Sequence, residues 1–182
     1  MPGAVVPHAG ICAGCNMDYE VAQEAQNLIS RLEEKDQNLE VRVATNDEIA
    51  ILQERLDDCL PDWFIKLISS ISLIDAEFGF KEFEPEEDFD GISYIIWADP
   101  STIIEECLDA VPGCAIFEKG YICIASCSHG SGDPIFMPIN KGTNPPVYRV
   151  YHEYGEDTEL ILKQGMNLIS EKLSELFKNA IL

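Results

Sequence analysis

The hydrophobic period of this chain changes near Gly91, and that change limits what it can fold into. Before it, apolar residues recur at helical spacing. Val21, Ala25, Leu28, Ile29 and Leu32 share one stripe, which predicts a helix capped by Asp18 and running to about Lys35. "TNDE" at 45–48 is a capping box and opens a second helix with Ile49, Leu52, Leu56 and Cys59 on one face. Pro61 suits the first turn of a third, whose buried side is Trp63, Phe64, Leu67, Ile68 and Ile71. Between the first two helices, "LEVRVA" (39–44) alternates like a short strand.

After the change, β-rich segments dominate. "GISYIIWAD" (91–99) reads as a strand ending before a short helix capped by Asp99 or Ser101. "CAIFEKGYICIAS" (114–126) reads as two strands about a turn at Lys119–Gly120. "PIFMPIN" (134–140) is a further strand, which Pro134 and Pro138 restrict to an edge or a bulge. "PPVYRVYHEY" (145–154) is another. A closing helix spans roughly 165–179, with Met166, Ile169, Leu173, Leu176 and Phe177 as its stripe. Helices, an antiparallel meander and a last helix make an α+β single domain. The expected architecture is one twisted sheet with the N-terminal helices and the C-terminal helix packed against one face. The 182 residues suffice for one such core and not comfortably for two.

Charge narrows the partners. The formal net charge is −21. Such a surface repels the phosphate backbone of nucleic acid and an anionic membrane, and it suits a basic protein; a merely soluble surface is the plainer alternative. The acids concentrate between Glu77 and Glu118, where Lys81 is the only basic residue before Lys119. Within "KEFEPEEDFDG" (81–91), Phe83 and Phe89 alternate with Glu86, Glu87, Asp88 and Asp90. Aromatics in an acidic loop are the makings of a binding hot spot, and Trp97 is a third candidate anchor. The same two phenylalanines could instead pin the loop to the core. The carboxylates by themselves do not make a magnesium site, which draws ligands from several elements.

The seven cysteines are odd in number, and the start of the chain has no basic, apolar export signal, so a disulfide framework is not expected and the location is expected to be cytoplasmic. Cys59, Cys107, Cys114 and Cys123 read as small buried hydrophobes. His8, Cys12 and Cys15 have half the pattern of a zinc or redox site and lack a second Cys-x-x-Cys, so no metal or other cofactor is expected.

One stretch carries reactive letters in close order: "CSHGSGD" holds Cys127, Ser128, His129, Ser131 and Asp133. A nucleophilic triad needs its members to meet in space in a set order, which neighbours in one short loop rarely do. No nucleophile elbow is present, and the glycines with Asp133–Pro134 fit a turn between strands. No catalytic residue is assigned.

From this turn onward the chain resembles the SUKH superfamily. The matching positions are Gly132 and Asp133, then Pro146, Val147, Tyr148 and His152 on the next strand, with Leu60 and Pro61 upstream matching the family's Leu-Pro turn. The resemblance spans roughly 45–180, which divides the chain into an extra tail and helix (1–44) and a SUKH-like domain (45–182). It implies a non-catalytic binding protein, commonly an immunity protein that neutralises a toxin, often a nuclease. A regulatory interaction module of the same fold is the alternative, and a metal or redox protein built on Cys12 and Cys15 a third.

Overall fold

The computed structural model describes residues 17–129 and 131–182. Its first helix, α1 (Tyr19–Lys35), starts where Asp18 accepts hydrogen bonds from the amides of Glu20 and Val21, at 2.8 and 3.3 Å. The stripe from Val21 to Leu32 is buried. Helix α2 (Asn46–Arg55) is opened by the capping box: Thr45 Oγ1 accepts from the Glu48 amide at 3.2 Å, and Glu48 Oε2 accepts from the Thr45 amide at 2.8 Å. Asp57 and Asp58 then take left-handed backbone (φ 50° and 52°), which ends the helix and leaves Cys59 exposed rather than in the core. Helix α3 (Asp62–Ser70) buries Trp63, Phe64, Leu67 and Ile68; Pro61 is its cap, one residue before the first turn.

Six strands follow: β1 (Glu77–Lys81), β2 (Ile92–Trp97), β3 (Tyr121–Cys127), β4 (Ile135–Pro138), β5 (Val147–Val150) and β6 (Met166–Ser170). They pair antiparallel in sequence order, a single meander. Helices α4 (Pro100–Leu108) and α5 (Gly113–Phe117) lie between β2 and β3, α6 (Thr158–Gln164) between β5 and β6, and α7 (Leu173–Lys178) after β6.

The helices occupy both faces of the sheet, where the pattern pointed to one. On one face, Phe177 of α7 packs its ring 5.3 Å from Trp97 and 6.3 Å from Phe78. Trp97 is fully buried there, so it is a core residue with no ring surface for a partner. Phe136 points to the other face, against α5, and Cys107 of α4 accepts the Cys123 amide there at 3.3 Å. Helix α7 is fixed from outside itself. Asn144, in the β4–β5 loop, accepts the Ser174 amide at 2.9 Å, while Arg31 of α1 donates to the carbonyls of Lys178 and Ala180 at 3.1 and 2.7 Å. These bonds satisfy groups that a helix end leaves open. Beyond α7, Ile181 pairs with Gly79 on β1 through two 2.7 Å backbone bonds.

Several segments depart from the expected pattern. Of 39–44, only Arg42 pairs, in a single bridge to Ile74; Asp75 then turns left-handed (φ 68°) and ends the pairing. "CAIF" is the helix α5, because a four-residue apolar run has no period and hydrogen bonds back to Ala110 and Pro112 close a helical turn. Strand β4 is interior despite Pro138. Its ladder to β5 covers only Ile135 and Phe136, so the missing N–H at its last residue removes no bond. The long closing helix is instead β6 followed by α7: the apolar letters fit either period, and pairing with β5 takes the first five residues.

Candidate functional site

The loop between β1 and β2 is an ordered projection. The Glu82 and Phe83 amides both donate to the Gly91 carbonyl, at 2.9 and 3.2 Å. Glu86 and Phe89 exchange backbone bonds of 2.7 and 3.2 Å, which places Glu87 and Asp88 at the tip. Gly91 has φ +78°, and a Cβ there would lie 2.2 Å from the Phe83 carbonyl oxygen, so the base of the loop requires glycine. Phe83 and Phe89 stand side by side, centroids 6.3 Å apart, and remain 43% and 40% exposed. Neither belongs to the core or to the apolar side chains packed against it, so they do not pin the loop there. Around them Glu86, Glu87, Asp88 and Asp90 are exposed. Asp90 accepts the Ile92 amide at 3.0 Å, and Glu84 pairs with Lys81 at 3.6 Å. The carboxylates of Glu86, Glu87 and Asp88 have no ion pair or hydrogen bond among the described residues.

One residue of the same acidic run has the opposite fate. Glu82 turns its carboxylate onto the α7 side of the sheet, where its side chain is 1% exposed. It accepts from Ser93 Oγ at 2.7 Å and Asn167 Nδ2 at 3.0 Å, and Arg149 Nη2 lies 2.8 Å away. That ion pair is short but off the axis of a hydrogen bond, so Nη2 and Nε of Arg149 have no hydrogen-bond partner among the described residues. Arg149 Nη1 donates to Ser131 at 3.2 Å and lies 3.9 Å from Asp133. Asp133, also buried, accepts the His152 amide at 3.1 Å and meets His152 Nδ1 at 2.6 Å. The cluster thus ties the root of the β1–β2 loop to the β3–β4 turn, β5 and β6.

Of the positions that carry the sequence resemblance, three lie at this cluster and the others do not. Asp133 and His152 belong to it, and Gly132 beside them has φ +72°. Leu60 and Val147 are core; Pro61 caps α3; Pro146 is half-buried; Tyr148 packs its ring against Tyr121 at 6.2 Å. Arg149 and Glu82 escaped the sequence reading. The available signal for Arg149 was a lone cation inside the apolar alternation "VYRV". Nothing distinguished Glu82 from its acidic neighbours.

In the β3–β4 loop, Ser128 and His129 meet Glu77 of β1, not Asp133. Ser128 Oγ donates to Glu77 Oε1 and lies 2.7 Å from His129 Nδ1, with Glu77 Oε1 3.9 Å from the same nitrogen. Serine and carboxylate stand on the same ring nitrogen, so this is no nucleophilic triad. Burial pushes the Cys127 thiol up, but hydrogen bonds from the Ser131 hydroxyl and from the backbone of His129, Ser131 and Gly132 outweigh it and hold the thiol below its ordinary value. Burial pushes Cys107 up to about 12 and Cys123 well up, so both are inert thiols. Among the described residues no three His, Cys, Asp or Glu side chains converge as metal ligands. His8, Cys12 and Cys15 lie outside those residues. No helix among them is long and apolar enough to cross a membrane. The chain matches no family model, no curated protein and no solved structure.

Proposed function

We propose that this chain is a non-catalytic binding domain, needing no cofactor, that neutralises a basic protein partner in the cytoplasm, as an immunity protein does a nuclease-type toxin. The observation that carries the reading is the Phe83–Phe89 pair, about two-fifths exposed in a backbone-bonded loop and ringed by the unpaired carboxylates of Glu86, Glu87 and Asp88. Half-exposed aromatics on a preorganised loop supply desolvation energy with little ordering cost, and free carboxylates steer a cationic partner. The SUKH-like order of motifs and the net charge of −21 support the same reading.

The test is co-expression with the product of the neighbouring gene, scored by growth rescue and by binding kinetics. Reversing Glu86, Glu87 and Asp88 to lysine should cut the on-rate most and flatten its salt dependence; Phe89→Ala should raise the off-rate. Rescue that survives the triple reversal would move the interface elsewhere on the surface. Absence of binding to any neighbouring toxin would favour a regulatory module of the same fold. One zinc per chain, lost in Cys15→Ser, would favour the metal reading.

A further inference from the structure

Away from the acidic loop, a cavity of about 270 Å³ opens where α1, β1, β2 and the β3–β4 loop meet the segment that pairs with Gly79. Leu32, Phe78 and Ile181 give it apolar walls; Glu77, Tyr94 and His129 give it polar ones. Its size suits one extended side chain or a small molecule, below the usual range for drug-sized ligands.

The protons of Ser128 and His129 set what the polar wall offers. A carboxylate only accepts, so Ser128 spends its single proton on Glu77. The 2.7 Å contact between Ser128 Oγ and His129 Nδ1 must then be donated by Nδ1–H. In the neutral imidazole this leaves Nε2 with a bare lone pair. The Tyr94 ring holds the imidazole edge-on, 5.6 Å between centroids. Glu77 Oε2 has no hydrogen-bond or ion-pair partner among the described residues. Glu77, with a half-exposed carboxylate, and His129, with an imidazole acceptor, thus line the cavity beside an apolar wall. A carboxylate and an imidazole acceptor match a cation, and the apolar wall matches an aliphatic stem. Lys35 also lines the cavity, at the exposed end of α1, with no ion pair among the described residues. It opposes a cation from a flexible stem that can swing into solvent.

We propose that this cavity binds an organic cation on an aliphatic stem, an alkylguanidinium or alkylammonium. The same chemistry is carried by a free amine or by an arginine or lysine side chain of a protein. The site is independent of the Phe83–Phe89 loop and stands whether or not that loop binds a partner.

The experiment titrates the full chain with butylguanidine, with its uncharged counterpart butylurea, and with a blocked glycine-arginine-glycine peptide, following the ring signals of Tyr94 and His129 by NMR. Saturable binding of the cations and none of butylurea is expected. Glu77→Gln should weaken it about tenfold, as loss of a charge-assisted hydrogen bond does, and Ser128→Ala about threefold by freeing the imidazole. Lys35→Ala should tighten it about two- to fivefold. The sign at Lys35 is decisive, because an anionic ligand would be weakened by the same change. A peptide that binds tighter than butylguanidine would name a protein side chain as the source, and the reverse a small amine. The proposal is overturned if neither cation moves the rings, if butylurea binds as well, or if Lys35→Ala weakens binding.

Discussion

The β1–β2 and β3–β4 loops join neighbouring strands of one meander, and they use polar letters in opposite ways. In the first, backbone bonds at Gly91 and between Glu86 and Phe89 shape the loop, which leaves the carboxylates of Glu86, Glu87 and Asp88 free for solvent or a partner. In the second, the side chains are spent on one another and on the rest of the fold: Ser128 on Glu77, Ser131 on Cys127 and Arg149, Asp133 on His152. Chemically reactive letters thus lie in the loop whose groups are engaged, and plain acids in the loop whose groups are available. What separates them is whether the backbone can satisfy itself. Where it does, side chains are released.

The two loops are joined by Arg149, and the largest expected effect comes from cutting that joint. Arg149→Ala leaves Glu82 buried without a cation and Asp133 with His152 alone, which should cost about 3–5 kcal/mol in urea unfolding. Replacing Arg149 and Glu82 together by methionine should restore most of that loss, since a buried ion pair contributes little against apolar packing. A double variant as unstable as the single one would mean that Asp133, not Glu82, is what Arg149 serves.

Glycine separates the loops next. Gly91 and Gly132 both have positive φ, but a Cβ at Gly91 meets the Phe83 carbonyl oxygen at 2.2 Å, while at Gly132 nothing lies within 4 Å. Gly132→Ala should therefore cost only the left-handed backbone term, about 1–2 kcal/mol. Gly91→Ala should cost clearly more and loosen the loop. Equal costs, read from denaturant midpoints, would mean the first loop is as yielding as the second.

The legible parts of this fold were those whose signal is local. The Asp18 and Thr45 caps, the stripe of α1 and the antiparallel meander are written in adjacent residues. The split of 166–178 into β6 and α7 was not, because Met166, Ile169 and Leu173 satisfy a helical stripe and only the approach of β5 selects the strand. Strand β1 was hidden for a related reason: "EFGFK" is short, contains glycine and is held by β2 on one edge and Ile181 on the other. Of the site, the alternation of Phe83 and Phe89 with acids was readable, since both rings are half-exposed. Trp97 was not, because its place under Phe177 depends on a contact eighty residues away. The buried role of Glu82 depends on Arg149, Ser93 and Asn167, none of them its neighbour in sequence.

A smaller effect distinguishes the thiols of the second loop from those of the core. Hydrogen bonds hold Cys127 below the ordinary thiol value, while burial raises Cys107 to about 12. Since the thiolate is the reactive form, its fraction at Cys127 rises at lower pH than for a free thiol. Alkylation by iodoacetamide, followed peptide by peptide, should modify Cys127 well before Cys107 and Cys123, with a pH midpoint below that of free cysteine. A midpoint at or above that of free cysteine would show that burial of Cys127 outweighs the donors around it.

The smallest expected effect tests the first loop most directly. The carboxylates of Glu86, Glu87 and Asp88 make no ion pair or hydrogen bond among the described residues, so the fold gains nothing from their charge, and their mutual repulsion slightly opposes it. Changing all three to the neutral amides should shift stability by no more than about 0.5 kcal/mol, in the stabilising direction, with the shift shrinking as salt screens the repulsion. The backbone bonds between Glu86 and Phe89 should persist, visible as unchanged amide exchange at those two positions. A loss of more than about 1 kcal/mol would mean that these carboxylates serve the fold after all. In that case the contrast between an engaged loop and an available one would fail at the residues that define it.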